Sequence, residues 1–357
     1  MTRVIKIVGV LLCVFLLAGT AFAEGQGEKQ KAEEEAAEGK EYTFYYVSHI
    51  GPADPNMKWL TLSSKAFEEK FPNVTIEYVA PENFSVKKQV EMLKSAIAKN
   101  PDGLIVPITD AQALDPVLRD AIENQGIPVI AANIPDFREK DERIPYLSYV
   151  GGDEYLTGYE LGKRLARAAD NGTIPEINKV VTAIQHVGHT GLEMRAKGMA
   201  DAMSEIGVEA EKLAIGDNPS QGKQILNSYM MKNKDEVNVI YTVASWTAPW
   251  AYEVASNLNL SPDVDKKGVT ILTVDASPVA LEGIIEGKLL ATHSQGFWMQ
   301  GWVPAEWLYF YNELGYTPPD EILTGPIIID KSNVQTFKNT VMNVFGEDTY
   351  EGLILWK

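Results

Sequence analysis

From Tyr42 onward, short runs of β-branched and aromatic residues alternate with amphipathic stretches of helical length. Tyr42 to Val47, Val74 to Val79, Leu104 to Pro107 and Pro128 to Ala132 read as strands, and Met57 to Lys70, Val86 to Lys99 and Ala113 to Asn124 read as helices between them. Val86, Val90, Leu93 and Ile97 fall on one helical face, as do Leu192, Met199, Met203 and Ile206. These stripes belong to a core and carry no chemistry. Strand and helix in alternation predict a parallel sheet flanked by helices. The punctuation agrees: Asn124-Gln125-Gly126 closes one helix, and Ser277-Pro278 opens another that Gly287 stops.

A second series starts near Asn178. Its strands are Lys179 to Ile184, Val237 to Thr242, Thr270 to Val274 and Leu290 to Thr292, and its helices are Gly191 to Ile206, Gln221 to Lys232 and Pro249 to Asn257. The two α/β units also echo each other. Gly126-Ile127-Pro128-Val129-Ile130-Ala131-Ala132-Asn133 parallels Gly268-Val269-Thr270-Ile271-Leu272-Thr273-Val274-Asp275, each an apolar strand opened by glycine and ended by Asn or Asp. The first strand of each unit ends on a polar residue and a histidine, Ser48-His49 and Gln185-His186. The expected fold is therefore α/β, with two Rossmann-like lobes of parallel sheet. Ligands of open α/β sheets lie beyond the carboxyl ends of the strands, so the strand-end polar residues of both lobes are the candidates for one shared cleft.

The N-terminus changes the compartment. Arg3 and Lys6 precede an apolar run from Ile7 to Ala18, and Ala21-Phe22-Ala23 supplies a small-x-small cleavage site. The run is short of the roughly 20 residues a membrane span needs, so residues 1–23 read as a signal peptide cleaved to leave Glu24 first. Cys13 sits inside the run, where lipid attachment would leave a greasy mature end, so the expected mature chain has no cysteine. Residues 24–41, rich in Gly, Ala, Glu and Lys, read as a flexible charged tether. The net charge of −17 becomes −19 once Arg3 and Lys6 leave with the leader, which disfavours nucleic acid and anionic membrane surfaces as partners.

Enzyme motifs are missing from the places this fold would display them. The stretch from Gly216 to Gly222-Lys223-Gln224 has one residue too many for a phosphate loop, and Gln in place of the magnesium-holding Ser or Thr. There is no G-x-S-x-G elbow, H-E-x-x-H helix or post-strand G-x-G-x-x-G. His49, His186, His189 and His293 fall near strand ends without a carboxylate or thiolate at ligand spacing. No metal and no cofactor are expected. The cleft candidates are His49, Asp54, Asn56, Asn133, His189, Glu193, Arg195, Asp275 and Gln295, with Trp246 and Trp298 as ring platforms. Such a mixture suits sugar hydroxyls, which both donate and accept, while aromatic rings pack on the apolar face of a sugar. Each has a plainer reading: Asp275 as a helix cap, Glu193 as a first-turn acid, Arg195 in a surface ion pair, and Trp250, Trp302 and Trp307 as core.

These residues resemble the periplasmic sugar-binding proteins of the ribose and galactose type, the extracytoplasmic partners of ABC importers, over essentially everything after the tether. Ser48 to Pro55 looks like that family's first strand and loop. Pro107-Ile108-Thr109-Asp110 and Gly126 to Ile130 match its third and fourth strands, and Gly287 to Thr292 with Gln295 match the crossing into the hinge. The resemblance implies ligand contacts at Asn133, Asp275 and Gln295. His189 and Arg195 fall where galactose-type proteins carry a sugar-binding His and Arg, and Glu193 stands where ribose-type proteins place an arginine. The aromatic residues expected after Asp54-Pro55 are replaced by Asn56-Met57-Lys58, with Trp59 displaced, which leaves the N-lobe platform and the sugar unassigned.

The resemblance further implies a three-crossing hinge near Val150, Gln295 and Gly325, with an N-terminal lobe of 42–150 plus 296–324 and a C-terminal lobe of 151–295 plus 325–357. The final helix, Val334 to Phe345, then belongs to the second lobe. The same fold serves sugar-responsive repressors, but the leader and the lack of DNA-binding helices before the first strand argue against a regulator. The implied function is capture of a monosaccharide or polyol by a monomer, closure of the lobes and delivery to ABC importer permease subunits. The alternatives are a receptor-coupled sensor for a nucleoside or signalling molecule, and an exported hydrolase or metal-dependent enzyme.

Overall fold

The computed structural model describes residues 40–356 apart from residue 53. The expected leader, and the charged tract up to residue 39, lie outside the described residues. The first lobe opens with β1 (Tyr42–Val47), α1 (Met57–Lys70), β2 (Val74–Val79), α2 (Val86–Ile97), β3 (Gly103–Val106), α3 (Ala111–Glu123), β4 (Val129–Ala132) and β5 (Ser148–Gly152). The second lobe follows with α4 (Glu154–Asp170), β6 (Lys179–Ile184), α5 (Thr190–Ser204), β7 (Glu209–Ala214), α6 (Pro219–Asn233), β8 (Val239–Thr242), α7 (Ala248–Asn257), β9 (Thr270–Leu272), α8 (Pro278–Ile285) and β10 (Ala291–Ser294). The chain ends with α9 (Phe297–Leu314), β11 (Glu321–Gly325), β12 (Ile327–Asp330), α10 (Val334–Phe345) and α11 (Glu347–Gly352).

Side chains placed at helix starts set where the helices begin. Asp110 accepts the amide of Ala113 at 3.0 Å, Asp153 that of Leu156 at 2.8 Å and Asn218 that of Gln221 at 3.0 Å, each satisfying a donor that the first turn leaves open. The strands β3, β4 and β8 are buried at every position, as parallel strands covered on both faces must be. They order into one sheet, β11-β5-β4-β3-β1-β2, and a second, β7-β6-β8-β9. The second is parallel throughout, as are the β1–β3, β3–β4, β4–β5 and β5–β11 pairs of the first. A two-stranded antiparallel ribbon joins β10 to β12.

Each lobe has its own core. One gathers Val47, Leu104, Val106, Leu118 and Val129, and the other Leu161, Val180, Met199, Tyr241 and Leu272. The chain passes from the first sheet to the second after Gly152 and returns after Gln295, where α9 packs on α1 and the first sheet. It leaves again after β11, which has paired with β5. The segments that follow β1, β2, β4, β6, β7, β8, β9 and β10 thereby line one cleft. β9 is shorter than its apolar run predicts: Thr273 still donates its amide to the Ala291 carbonyl at 3.2 Å, Val274 stays in the core, and the chain turns toward that cleft at Asp275.

Candidate functional site

The cleft forms a half-open cavity of about 760 Å³, walled by residues that follow strands of both lobes. Asn133, just past β4, and Asp275, just past β9, are its matched corners. Both adopt left-handed backbone, with φ of 71° and 67°, a conformation that Asn and Asp tolerate better than other side chains. The turn aims each side chain inward. Asn133 Nδ2 donates to Gln295 Oε1 at 3.2 Å and to Gln300 Oε1 at 3.0 Å. Gln295 Nε2 donates to Asp275 Oδ1 at 2.6 Å, and Asn56 Nδ2, from the start of α1, donates to Asp275 Oδ2 at 2.9 Å. An amide and carboxylate hub thus runs from one lobe through the crossing into the other.

Behind the hub lies an ion pair. Arg195 on α5 donates through Nε to Glu154 Oε2, and through Nη2 to Glu154 Oε1 at 3.1 Å, while its Nη1 reaches the Val243 carbonyl at 3.1 Å. Both partners are buried, so the fork is anchored rather than solvated. Burial pushes the Asp275 carboxyl up, against the pull of Arg195 and the hydrogen bonds from Gln295 and Asn56. Asp54 is pushed up to about 7 by burial and by the charge of Asp275, although the Asn56 amide donates to its Oδ1 at 2.8 Å.

The opposite wall is made of flat rings. His49 and His189 lie 5.1 Å apart between centroids, and Phe84, from the loop after β2, stacks on His186 at 4.6 Å and tilts against His189 at 5.3 Å. His189 also caps α5, its Nδ1 accepting the Leu192 amide at 3.5 Å. Burial pushes all three imidazoles toward the neutral form, His49 down to about 3. Trp246 reaches the cavity with its ring edge-on to Trp250, 5.2 Å away. Asn56 Oδ1, Gln185 Oε1 and His49 Nδ1 are buried atoms with no hydrogen-bond partner among the described residues, and all three residues line the cavity.

The sequence candidates His49, Asp54, Asn56, Asn133, His189, Arg195, Trp246, Asp275 and Gln295 are therefore brought to one cavity. Glu193 and Trp298 are not among its wall. Glu193 points away along α5, taking the Gly188 amide at 3.3 Å and Lys212 Nζ at 2.5 Å. Gly296, at φ 69°, turns the chain so that Phe297 faces the cleft, and Trp298 lies outside it with its carbonyl held by Ser63 Oγ at 2.6 Å. Arg195 is no surface ion-pair residue, because it and its partner Glu154, from the neighbouring helix, are both buried. Among the described residues no group of three or more His, Cys, Asp or Glu could hold a metal ion, and no helix is long and apolar enough to cross a membrane.

Residues 47–313 match the model of the periplasmic binding protein domain. The chain belongs to that family. A curated relative, the xylose/arabinose-binding protein of Sulfolobus acidocaldarius, is 24% identical over 270 residues, which cover 73% of this chain and 64% of that protein. The chain thus spans under two thirds of the length of this relative. A carbohydrate transporter from Acidothermus cellulolyticus 11B, solved with myo-inositol, superposes with a TM-score of 0.73 at 23% identity over 85% of this chain and 99% of its own. An ABC sugar transporter's periplasmic sugar-binding protein from Legionella pneumophila gives 0.68 at 26% identity over 80% and 99%. The two-lobed α/β fold is that of these periplasmic binding proteins.

Several wall residues of this family member escape the sequence reading. Phe84, Asp217 and Asn218 sit in loops whose local pattern signals only a turn or a cap, and Glu154, which holds the wall residue Arg195 from behind, reads as an ordinary first-turn acid. Gln185 and His186 carried a signal, the strand-end dipeptide that mirrors Ser48-His49.

Proposed function

We propose that the chain is an extracytoplasmic solute-binding protein that closes on a neutral sugar or polyol and hands it, unconverted, to the permease subunits of an ABC importer. The observation that carries this reading is that acceptors without a partner among the described residues, Asn56 Oδ1 and Gln185 Oε1, belong to residues lining the same cavity as an Asp275 carboxylate whose two hydrogen bonds leave further lone pairs free. A ligand dense in hydroxyl groups satisfies such a wall, and an apolar one would leave it unpaired. The lobes, 42–150 with 296–324 and 151–295 with 325–357, rotate about the three crossings, the hinge-closing mode of two-lobed binders. The relatives named for xylose, arabinose and myo-inositol support a pentose, hexose or cyclitol.

Calorimetric titration with D-xylose, L-arabinose, D-galactose and myo-inositol tests the reading. A charge-assisted hydrogen bond contributes about 1.5–3 kcal/mol, so Asp275→Ala weakens a bound sugar on the order of tenfold to a hundredfold. The same variant keeps its melting temperature without ligand. Binding equal to the parent, or a loss explained by unfolding, removes Asp275 from the site. Export follows from the leader, and N-terminal sequencing of the exported protein begins at Glu24; a lipid-modified Cys13 overturns that cleavage.

A further inference from the structure

One wall residue of the cleft comes from a part of the chain that the family match does not reach. That match ends at residue 313, and Leu355 lines the cavity. A clamp brings it there. Tyr350 of α11, itself buried, donates its hydroxyl to Glu282 Oε1 at 2.7 Å, and Trp356 Nε1 donates to the Val279 carbonyl at 2.6 Å. Val279 and Glu282 are neighbours at i and i+3 on α8, so the segment from Tyr350 to Trp356 is tied at both ends to one helix.

The seat of Trp356 is shaped for a ring. A Cβ at Gly283 would run into the indole, so glycine is what leaves the slot open. The Tyr252 ring stands edge-on to it at 5.7 Å, and Lys288 Nζ lies 4.9 Å from its centroid. Leu353, Ile354 and Trp356 are half-buried, whereas Leu355 between them is 45% exposed and is the one that meets the cavity. The fold thus anchors the residue beside it and presents an aliphatic side chain to the ligand space.

α8 also ties that side chain to the carboxylate hub. The helix opens three residues after Asp275, so Asp275 and the clamp belong to one lobe, and closure carries them together. A sugar held through its hydroxyls still has C–H groups to cover. An aliphatic side chain packs on them and keeps water from the hydrogen bonds nearby, which strengthen as their surroundings become less polar.

We infer that residues 353–356 form a lip of the ligand cleft, in which Leu355 packs on the bound sugar and Trp356 positions it. This rests on the reading of the chain as a sugar binder and adds to it a contact from outside the matched domain.

The test is calorimetric titration of the mature protein with D-xylose, L-arabinose, D-galactose and myo-inositol. Covering the exposed share of a leucine gains about three- to tenfold in affinity, so Leu355→Ala weakens the sugar that binds the parent by that factor. Leu355→Met stays within about twofold of the parent, and Leu314→Ala, at an exposed position off the cavity wall, changes nothing. Trp356→Ala weakens binding at least as much as Leu355→Ala, and combining the two costs no more, because a leucine without its anchor no longer meets the sugar. Thermal melts without ligand separate lost contact from lost structure. The inference is overturned if Leu355→Ala binds like the parent, if its loss follows a fall in melting temperature, or if the two substitutions lose affinity independently. Should none of the four sugars bind the parent, the sugar reading has failed and the lip falls with it; the parent alone decides that reading, and the variants decide the lip.

Discussion

Asp54 and Glu154 are acidic residues near the same guanidinium, and they respond oppositely to neutralisation. Among the described residues no cation is in contact with Asp54, and burial with the Asp275 charge lifts it from an ordinary 3.8 to about 7. Between those values the folded protein holds a proton that the unfolded chain has released, so stability falls as pH rises from about 4 to about 7. Asp54→Asn removes that dependence while its side-chain oxygen can still accept the Asn56 amide. Melting curves show the variant level with the parent near pH 4 and more stable at pH 8; a constant offset across that range sinks the assignment. Glu154 instead neutralises a buried Arg195. Glu154→Gln leaves that charge without its ion partner and costs about 3–5 kcal/mol, read as a lower urea midpoint. An unchanged midpoint would mean that Asp275 alone holds the guanidinium.

The helices α4 and α5 deliver that ion pair, and glycine lets them approach. A Cβ at Gly158 of α4 would run into the Arg195 carbonyl, and one at Gly198 of α5 into the Tyr155 carbonyl. Backbone cannot yield as a flexible side chain can, so Gly158→Ala forces the helices apart and costs about 1–3 kcal/mol or more. Denaturant titration reads the loss, and sugar affinity drops with it because His189 and Arg195 ride on α5. A variant as stable as the parent would show that the helices can slide apart freely. Periodicity made α5 legible in the sequence, but not β7. Glu209–Ala214 is built of residues that favour helices, and it is a strand because the edge of β6 offers it a parallel ladder.

Across the whole molecule, the lobes meet through few direct side-chain bonds. Asn56 Nδ2 on Asp275 is one, and Thr190 Oγ1 near the Ile108 and Thr109 carbonyls at 3.4 Å is another, weaker one. Asn56→Ala cuts the first and leaves each lobe's core intact. In solution scattering without ligand, its radius of gyration exceeds that of the parent, and saturating ligand narrows the gap. Identical curves in both conditions would mean that the closed form does not depend on this bond.

By itself the sequence determined the alternation of strand and helix, the two α/β units and the strand-end residues Asn133, Asp275, His49 and His189 that the fold then gathers. These are local properties: apolar period and strand termination are written in neighbouring residues, and an open α/β sheet places its strand ends at one edge. Tertiary structure decided the rest. Glu154 became the partner of Arg195 through the contact of two helices, Phe297 rather than Trp298 met the cleft through the turn at Gly296, and burial by both lobes holds the imidazoles neutral. Each depends on which distant surface is packed against a residue, and that is fixed only when the chain has closed its sheets, because desolvation and contact act through space and not along the sequence.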